Sequence, residues 1–552
     1  MQKKRVKFSK RTGIAGYPAC LLLVQIAYSL YHSRFYSCHS PQETDTPMAN
    51  RYIKKILEAP VYDVAKETPL DEAPALSARL GNRILLKRED EQPVFSFKLR
   101  GAYNKMSQLS EEERACGVVA ASAGNHAQGL AMAANKMGVK ATIVMPKTTP
   151  DIKVNNVRAW GGNVVLHGDA FDEALAYSQQ LVEKDGYVYV HPYDDPDVIA
   201  GQGTIAMEIL RQESGPIDTI FVPVGGGGLI AGIAVYVKYL RPEIKVIGVE
   251  YEDSACLKAA LEANERVTLS QVGIFAEGVA VAQIGKDTFE LASQYVDEVI
   301  TVNTDEICAA IKDIYDDTRS ICEPAGALGV AGLKKYVARE GCRNETLIAI
   351  DSGANVNFDR LRHIAERAEL GENREAIIAA KIPERPGSFK AFCAALGQRN
   401  ITEFNYRYSD DNEAIVFAGI QTKAAGCGRE QLLNDLRTQV SEVEDLTDNE
   451  IAKLHVRYMV GGHAPGSLEN EVVYRFEFPE RPGALMKFLS TLGGRWNISM
   501  FHYRNHGAAY GRVLVGMQVP PSERADVERF LHDIGYNYWE ETDNRAYQLF
   551  LG

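Results

Sequence analysis

The chain repeats itself. The stretch IPERPGSFKAFCAALGQRNITEFNYR begins at Ile382 and FPERPGALMKFLSTLGGRWNISMFHYR at Phe478, an offset of 96 residues through the helical part and 97 after one inserted residue. Each copy reads strand, Pro-Gly turn, helix, strand, strand, helix, strand. In the first copy EAIIAAKIP precedes the turn, and EAIVFAGIQT and REQLLNDLRTQ follow. In the second, EVVYRFEFP precedes it, and GRVLVGMQV and SERADVERFLHDIG follow. That order is the split β-α-β arrangement of ferredoxin-like units. It predicts two small tandem α+β domains in the last third, over 371–450 and 468–552, with GGHAPGS (461–467) as linker.

Upstream the rhythm differs. From about residue 115, short apolar runs alternate with helical stretches: GVVAAS, then HAQGLAMAANKMG; KATIVMP, then DIKVNNVRAWGG; DTIFVPV, then LIAGIAVYVKYL; and on to TLIAIDSGANVNF at 346–358. Strands that are apolar throughout and alternate with helices predict a parallel sheet covered on both faces. The fold class expected is therefore α/β over 48–370, followed by two α+β repeats. A chain of 552 residues accommodates two to four domains.

Net charge is −12, which argues against broad nucleic-acid binding. The first 47 residues are different in kind. Lys3, Lys4, Arg5, Lys7, Lys10, Arg11 and Arg34 stand against Glu43 and Asp45, so seven positive charges less two negative give +5 there. An uncharged run, GIAGYPACLLLVQIAYSLY, follows. Two readings stay open: a targeting segment, or a start placed too early, with translation beginning at Met48. Residues 48–552 are expected to act in the cytoplasm, or in an organelle if the leader is a transit segment, and to need no membrane. The nine cysteines show no C-x-x-C or Cys/His spacing, so neither a metal site nor a disulfide framework is expected.

Three stretches carry chemistry. Gly225, Gly226, Gly227 and Gly228 lie between a buried strand and a helix, where backbone N–H groups and the helix N-terminus can cradle a phosphate or carboxylate. The segment is neither a Walker A loop nor a G-x-G-x-x-G fingerprint. ASAGNHAQG (121–129) sits at another strand-to-helix turn and is expected to face the same carboxyl edge of the sheet, where open α/β sheets bind ligands. There Ser122 and Asn125 either contact a ligand or simply cap the helix. The third stretch, PVFSFKLRGAYN, sets Lys98 among apolar neighbours. Burial depresses a lysine pKa, and a neutral amine is a nucleophile. A lone lysine of this kind usually snorkels. Combined with a phosphate cradle, it suits pyridoxal 5'-phosphate. His126 reads as a packed histidine. Glu323 either touches the cofactor region or opens the next helix, and Arg88-Glu89-Asp90 reads as a structural charge cluster.

SFKLRGAYN, SAGNHAQG, GGGGL, EPAGA (323–327) and SGANVN (352–357) occur in this order, and the set closely resembles the biosynthetic threonine dehydratases, or threonine ammonia-lyases. These are fold-type II pyridoxal-phosphate enzymes with ACT-like regulatory repeats. The resemblance covers 48–552. It implies that Lys98 holds the cofactor covalently. It implies that Gly225, Gly226, Gly227, Gly228 and Leu229 bind its phosphate, that Asn125 bonds the ring hydroxyl, and that Ser352 faces the pyridine nitrogen. Ser122, Ala123 and Gly124 would hold the substrate carboxylate. Asp351 is expected on the strand face opposite Ser352. The implied reaction is deamination of L-threonine to 2-oxobutanoate and ammonia, with L-serine as a second substrate, at the first committed step of isoleucine synthesis. Inhibition by isoleucine, opposition by valine and a homotetramer are also implied. Glu384–Gly387 and Glu480–Gly483 either offer N–H groups to an effector carboxylate or are plain Pro-Gly turns. Two rivals remain: a serine dehydratase or racemase on the same scaffold, and a non-catalytic amino-acid sensor.

Overall fold

A computed structural model describes residues 47–552 apart from 398, 409–411, 423–426, 439, 441, 455, 459–467, 480–482, 505–509, 545, 546, 549, 550 and 552. The leader reading for 1–46 and the linker at 461–467 therefore lie outside the described residues, as do Glu480, Arg481 and Pro482.

Ten strands build the first part: β1 (Leu70–Glu72), β2 (Arg83–Arg88), β3 (Val118–Ala121), β4 (Ala141–Met145), β5 (Asn163–Leu166), β6 (Val188–Tyr189), β7 (Thr219–Pro223), β8 (Lys245–Tyr251), β9 (Glu298–Val302) and β10 (Thr346–Asp351). They form two sheets, not the single one that the alternation suggests. One has the order β1-β2-β10-β7-β8-β9, parallel except for the edge strand β1; the other is parallel throughout, in the order β5-β4-β3-β6. Alternation tells a reader that strands are parallel. It does not tell which strands are neighbours, and here the chain changes sheet between β2 and β3, returns between β6 and β7, and later inserts β10 between β2 and β7. Asn125 follows β3 in the small sheet, whereas the glycine run follows β7 in the large one. The expectation of one shared sheet edge is thus corrected: the two loops come from different sheets.

Strands β3, β4, β7 and β10 are buried at every position, which is why their sequences lack polar alternation. The helices used below are α1 (Lys98–Ser107), α2 (Asn125–Met137), α3 (Pro196–Gln212), α4 (Gly228–Leu240), α5 (Thr304–Thr318), α6 (Pro324–Glu340) and α7 (Arg360–Gly371). Their packing is tight enough to require glycine. A Cβ on Gly201 of α3 would lie 2.7 Å from the Arg100 carbonyl oxygen of α1, and one on Gly129 of α2 would lie 2.9 Å from the Leu99 nitrogen.

The two repeats merge into one antiparallel sheet. The first contributes β11 (Glu375–Pro383), β12 (Ile401–Arg407), β13 (Glu413–Gln421) and β14 (Glu442–Asp445). The second contributes β15 (Glu471–Pro479), β16 (Asn497–Arg504), β17 (Tyr510–Gln518) and β18 (Asn537–Glu540). The order is β14-β11-β13-β12-β16-β17-β15-β18, and the copies join where β12 pairs with β16, Glu403 opposite Arg504 through Arg407 opposite Met500. One face is apolar: Phe404, Phe476, Phe488 and Phe501 pack there with helices α8 (Ser388–Leu396), α9 (Cys427–Arg437), α11 (Ala484–Leu492) and α12 (Arg524–Ile534). The side chains of Glu403, Arg407 and Glu471 instead form ion pairs: Arg407 with Glu471 at 2.5 Å, and Arg457, just after the short helix α10 (Glu450–Leu454), with Glu403 at 2.9 Å. No described helix is long and apolar enough to cross a membrane.

Candidate active site

Lys98 is the first residue of α1, whose preceding residue, Phe97, offers no side-chain cap. Its amine donates to the Pro192 carbonyl at 3.0 Å and stands 5.3 Å from the centre of the Phe97 ring. Burial pushes its pKa down to about 8, against an opposing pull from the Glu323 carboxylate. The positive end of the helix dipole disfavours an ammonium there as well. Part of the side chain remains accessible, so the amine is desolvated without being sealed off. The segment before it is pinned across the loop after β10. Ser96 bridges to Gly353, the Phe97 N–H donates to the Ser352 carbonyl, and the Phe95 carbonyl accepts from Ala354. Phe95 takes a φ of 54°, a left-handed conformation that a bulky residue rarely adopts and that must be held by its surroundings.

The glycine run has the backbone geometry of an anion cradle. Gly227 precedes α4 with φ 89° and provides no side-chain cap, and the first-turn N–H groups of any helix lack intrahelical acceptors. A Cβ on Gly226 would come within 2.2 Å of the Tyr193 ring, so the close approach itself demands glycine. Two carbonyls are tied from outside the loop: Cys256 Sγ donates to Gly225 O at 3.4 Å and Thr288 Oγ1 to Gly226 O at 2.8 Å. With those carbonyls anchored, the N–H groups of the loop and of the first turn of α4 are the groups left for an anion.

Asn125 opens α2, and the residue before it, Gly124, again gives no side-chain cap. One amide N–H goes to Glu323 Oε1 at 2.6 Å, and the amide oxygen accepts from Asn355 Nδ2 at 2.8 Å. A primary amide has two N–H groups, so one donor remains for a ligand. Burial raises the Glu323 carboxyl to about 7, against the Asn125 hydrogen bond that lowers it. His126 is buried with Nε2 2.9 Å from the Val190 carbonyl. A ring nitrogen facing a carbonyl must carry the proton, and burial takes the pKa down to about 3, so the imidazole is neutral and packed. The Ser122 hydroxyl accepts from the Gly124 N–H at 3.4 Å, while Gly124 itself is exposed with no atom near where a Cβ would project.

Ser352 is buried, and its hydroxyl donates to the Ala325 carbonyl at 3.3 Å. Asp351 is fully buried. Burial first and Asp90 second raise its carboxyl well above the usual range, and Arg88 stands 4.0 Å away. Arg88, Glu89 and Asp90 are structural: Arg88 pairs with Asp90 at 2.8 Å and Glu89 with Arg100 at 2.8 Å. Arg100 also binds Glu208 at 2.6 Å, which binds Lys87 at 2.6 Å, and all four are fully shielded from water.

The structure thus links Lys98, Asn125, Ser352 and the glycine run through shared neighbours. Segment 192–193 touches both the lysine and the cradle, and Asn355 and Glu323 link Asn125 to the loop after β10. Sequence reasoning gave no role to Asn355, Pro192 or Tyr193. Asn355 lies inside the SGANVN stretch and was within reach; the other two act through a carbonyl and a packing contact, which leave no residue-type signal. Beside the Asn125 amide a cleft opens, lined by Glu277, Glu323, Asn355, Val356 and Arg360 among others. A nucleophilic lysine, a crowded glycine cradle and a spare amide donor fit a phosphorylated aldehyde cofactor.

Together these features define a pyridoxal-phosphate-dependent enzyme built on parallel sheets. Residues 61–353 match the family described as pyridoxal-phosphate dependent enzyme, and residues 366–456 and 463–551 match the C-terminal regulatory domain of threonine dehydratase. The chain is 58% identical over 503 residues to the L-threonine dehydratase biosynthetic IlvA of Burkholderia multivorans, covering 91% of this chain and 99% of that one. It is 50% identical over 524 residues to the mitochondrial threonine dehydratase of Saccharomyces cerevisiae, covering 92% and 90%. A solved structure of the processed form of threonine deaminase isoform 2 from Solanum lycopersicum matches with a TM-score of 0.58 and 51% identity, over 60% of this chain and 96% of that one. The chain belongs to the biosynthetic threonine dehydratases, enzymes that depend on pyridoxal phosphate and carry a C-terminal regulatory region.

Proposed function

We propose that this chain converts L-threonine to 2-oxobutanoate and ammonia, and L-serine to pyruvate and ammonia, at the first committed step of isoleucine synthesis. The observation that carries the reading is the Lys98 amine, desolvated to a pKa of about 8 and set at a helix start opposite Ser352. In this reading Lys98 holds the cofactor covalently. Backbone N–H groups of Gly225, Gly226, Gly227, Gly228 and Leu229 hold its phosphate. The spare N–H of Asn125 meets the ring oxygen, and the Ser352 hydroxyl faces the ring nitrogen. When bound, pyridoxal phosphate supplies a sink for the electrons left at the substrate α-carbon. Lys98, once displaced by the substrate amine, is placed to take the α-proton as a general base. The Ser122, Ala123 and Gly124 turn, with its uncapped helix start, binds the substrate carboxylate. A serine hydroxyl, unlike a carboxylate, does not keep a pyridine nitrogen protonated, which favours loss of the β-hydroxyl over amino-group transfer. The protonated β-hydroxyl leaves as one water, and one water is consumed when the released enamine tautomerises and hydrolyses to the 2-oxo acid and ammonia.

The repeat region is the proposed seat of feedback inhibition by isoleucine, opposed by valine, in a homotetramer acting in the cytoplasm. The same reading divides the chain at 48–370, 371–450 and 468–552. Residues Gly387 and Gly483, at φ 92° and 89°, start α8 and α11 without side-chain caps, which supports a carboxylate site there. Purified protein with added cofactor tests both parts. Steady 2-oxobutanoate formation from L-threonine, falling as isoleucine is titrated, is expected. Turnover of serine alone would move the assignment to the serine dehydratases, and turnover indifferent to isoleucine would remove the regulatory role.

A further inference from the structure

Helix α7 has one end at the cleft beside Asn125 and the other in the regulatory region. It begins at Arg360, which lines the cleft with Glu323 and Asn355 and pairs with Glu277 at 2.6 Å. Arg360 also donates to the Phe275 carbonyl at 2.8 Å, and His363, one turn on, sits against the Phe275 ring with centres 5.7 Å apart. Backbone continuity makes the link direct. The loop that carries Ser352 and Asn355 runs without interruption through Asn357 into α7, and α7 runs through Asn373 and Arg374 into β11, an inner strand of the repeat sheet. Twelve helical residues span about 18 Å.

At the far end the helix is gripped. Arg367 donates to Asp305, in the first turn of α5, at 2.5 Å; Lys453 of α10, from the repeat region, reaches the other Asp305 oxygen at 2.9 Å. Arg367 and Lys453 are buried, and Asp305 is largely so. Burial alone would raise the Asp305 carboxyl, but the two cations outweigh it and hold it below its usual range. Gly371, the last residue of α7, packs so closely that a Cβ would fall 1.9 Å from the Asp305 carbonyl oxygen. Tyr458 of the repeat region bonds Glu366, and Thr422, just after β13, bonds the Asn373 carbonyl at 2.7 Å. Asp305 is therefore a three-way junction of a catalytic-region helix, α7 and the repeat region.

We propose that α7 is the rod by which the regulatory sheet acts on the catalytic cleft, with the Arg367–Asp305–Lys453 triad as its clamp and the Arg360–Glu277 pair as its working end. The inference rests on the reading that isoleucine inhibits through the repeat region. An effector shifts an equilibrium only through contacts that differ between two states. A buried triad with one anion and two cations offers such a difference: movement of α10 adds or removes one of its two ion pairs, and α7 cannot slide independently because Gly371 abuts Asp305.

The test is Lys453→Met, with Lys453→Arg as the conservative partner. Removing Lys453 leaves Asp305 paired with Arg367. Without isoleucine, kcat and KM for threonine are expected within about twofold of wild type. With isoleucine, half-inhibition is expected to require at least about tenfold more effector, inside the usual range of allosteric couplings, while K453R keeps most of the response. Wild-type enzyme inhibited and K453M inhibited at the same concentration would overturn the rod alone. Wild-type enzyme indifferent to isoleucine would overturn the regulatory reading and the rod with it. Hydrogen exchange on the wild-type holoenzyme gives a check that needs no variant: isoleucine is expected to change protection across 360–371, and an unchanged helix would also overturn the proposal.

Discussion

Gly227 and Gly387 stand in the same conformation, φ 89° and 92°, each at the start of a helix without a side-chain cap. Their surroundings are opposite. A Cβ on Gly227 would fall 2.7 Å from Ile284, and its neighbour Gly226 lies under the Tyr193 ring, whereas a Cβ on Gly387 would meet nothing within 4 Å. Gly483, in the second repeat, is as open as Gly387. The glycine run before α4 is a filled mould, its backbone held by the side chains packed against it. Gly387 and Gly483 are exposed, and nothing packs where their Cβ atoms would project. Preorganised donors suit a cofactor kept through every turnover; open donors suit a small effector that comes and goes.

The largest effect expected is at the base of the mould. Lys98→Ala should lower threonine turnover by about a thousandfold or more, the scale of losing an acid–base group together with covalent anchoring, measured as 2-oxobutanoate formation at saturating cofactor. Next comes the support of α1. Arg100→Met leaves Glu89 and Glu208 buried with less compensation, and chemical denaturation should show a loss of about 3–5 kcal/mol. The same comparison sharpens at the glycines. Gly226→Ala forces a methyl into the Tyr193 ring, and about 1–3 kcal/mol of overpacking strain should weaken cofactor binding by about tenfold or more in fluorescence titration. Gly387→Ala has only the left-handed backbone to pay for, about 1–2 kcal/mol, and should leave cofactor affinity unchanged while altering the isoleucine response. Equal effects of the two substitutions on cofactor binding would erase the distinction.

A smaller, pH-dependent effect concerns Glu323. Its carboxyl is raised from 4.5 to about 7 by burial. Between those values the folded cofactor-free protein holds a proton that the unfolded chain has lost, so stability falls as pH rises from about 4.5 to about 7 and then levels. Glu323→Gln should flatten that part of the slope in melting curves taken between pH 5 and 7.5.

Much of this was legible in the residues. The period of the strands, the glycine run at a strand-to-helix junction and the doubled ERPG turn each report local backbone geometry, and local geometry is what sequence encodes most directly. Lys98, Asn125 and Ser352 were singled out through motifs. What stayed hidden depends on which elements become neighbours: the division of the strands into two sheets, the fusion of the repeats through β12 and β16, and the reach of Lys453 to Asp305 across 148 residues. Pro192 was equally invisible, because it serves Lys98 with a carbonyl that every residue possesses.

The most direct measurement concerns Lys98 itself. The cofactor-loaded protein, reduced with borohydride and digested, should carry the phosphopyridoxyl mass on the peptide containing Lys98. Label on a different lysine, or none at all on a folded protein with bound cofactor, would contradict the assignment on which the site rests.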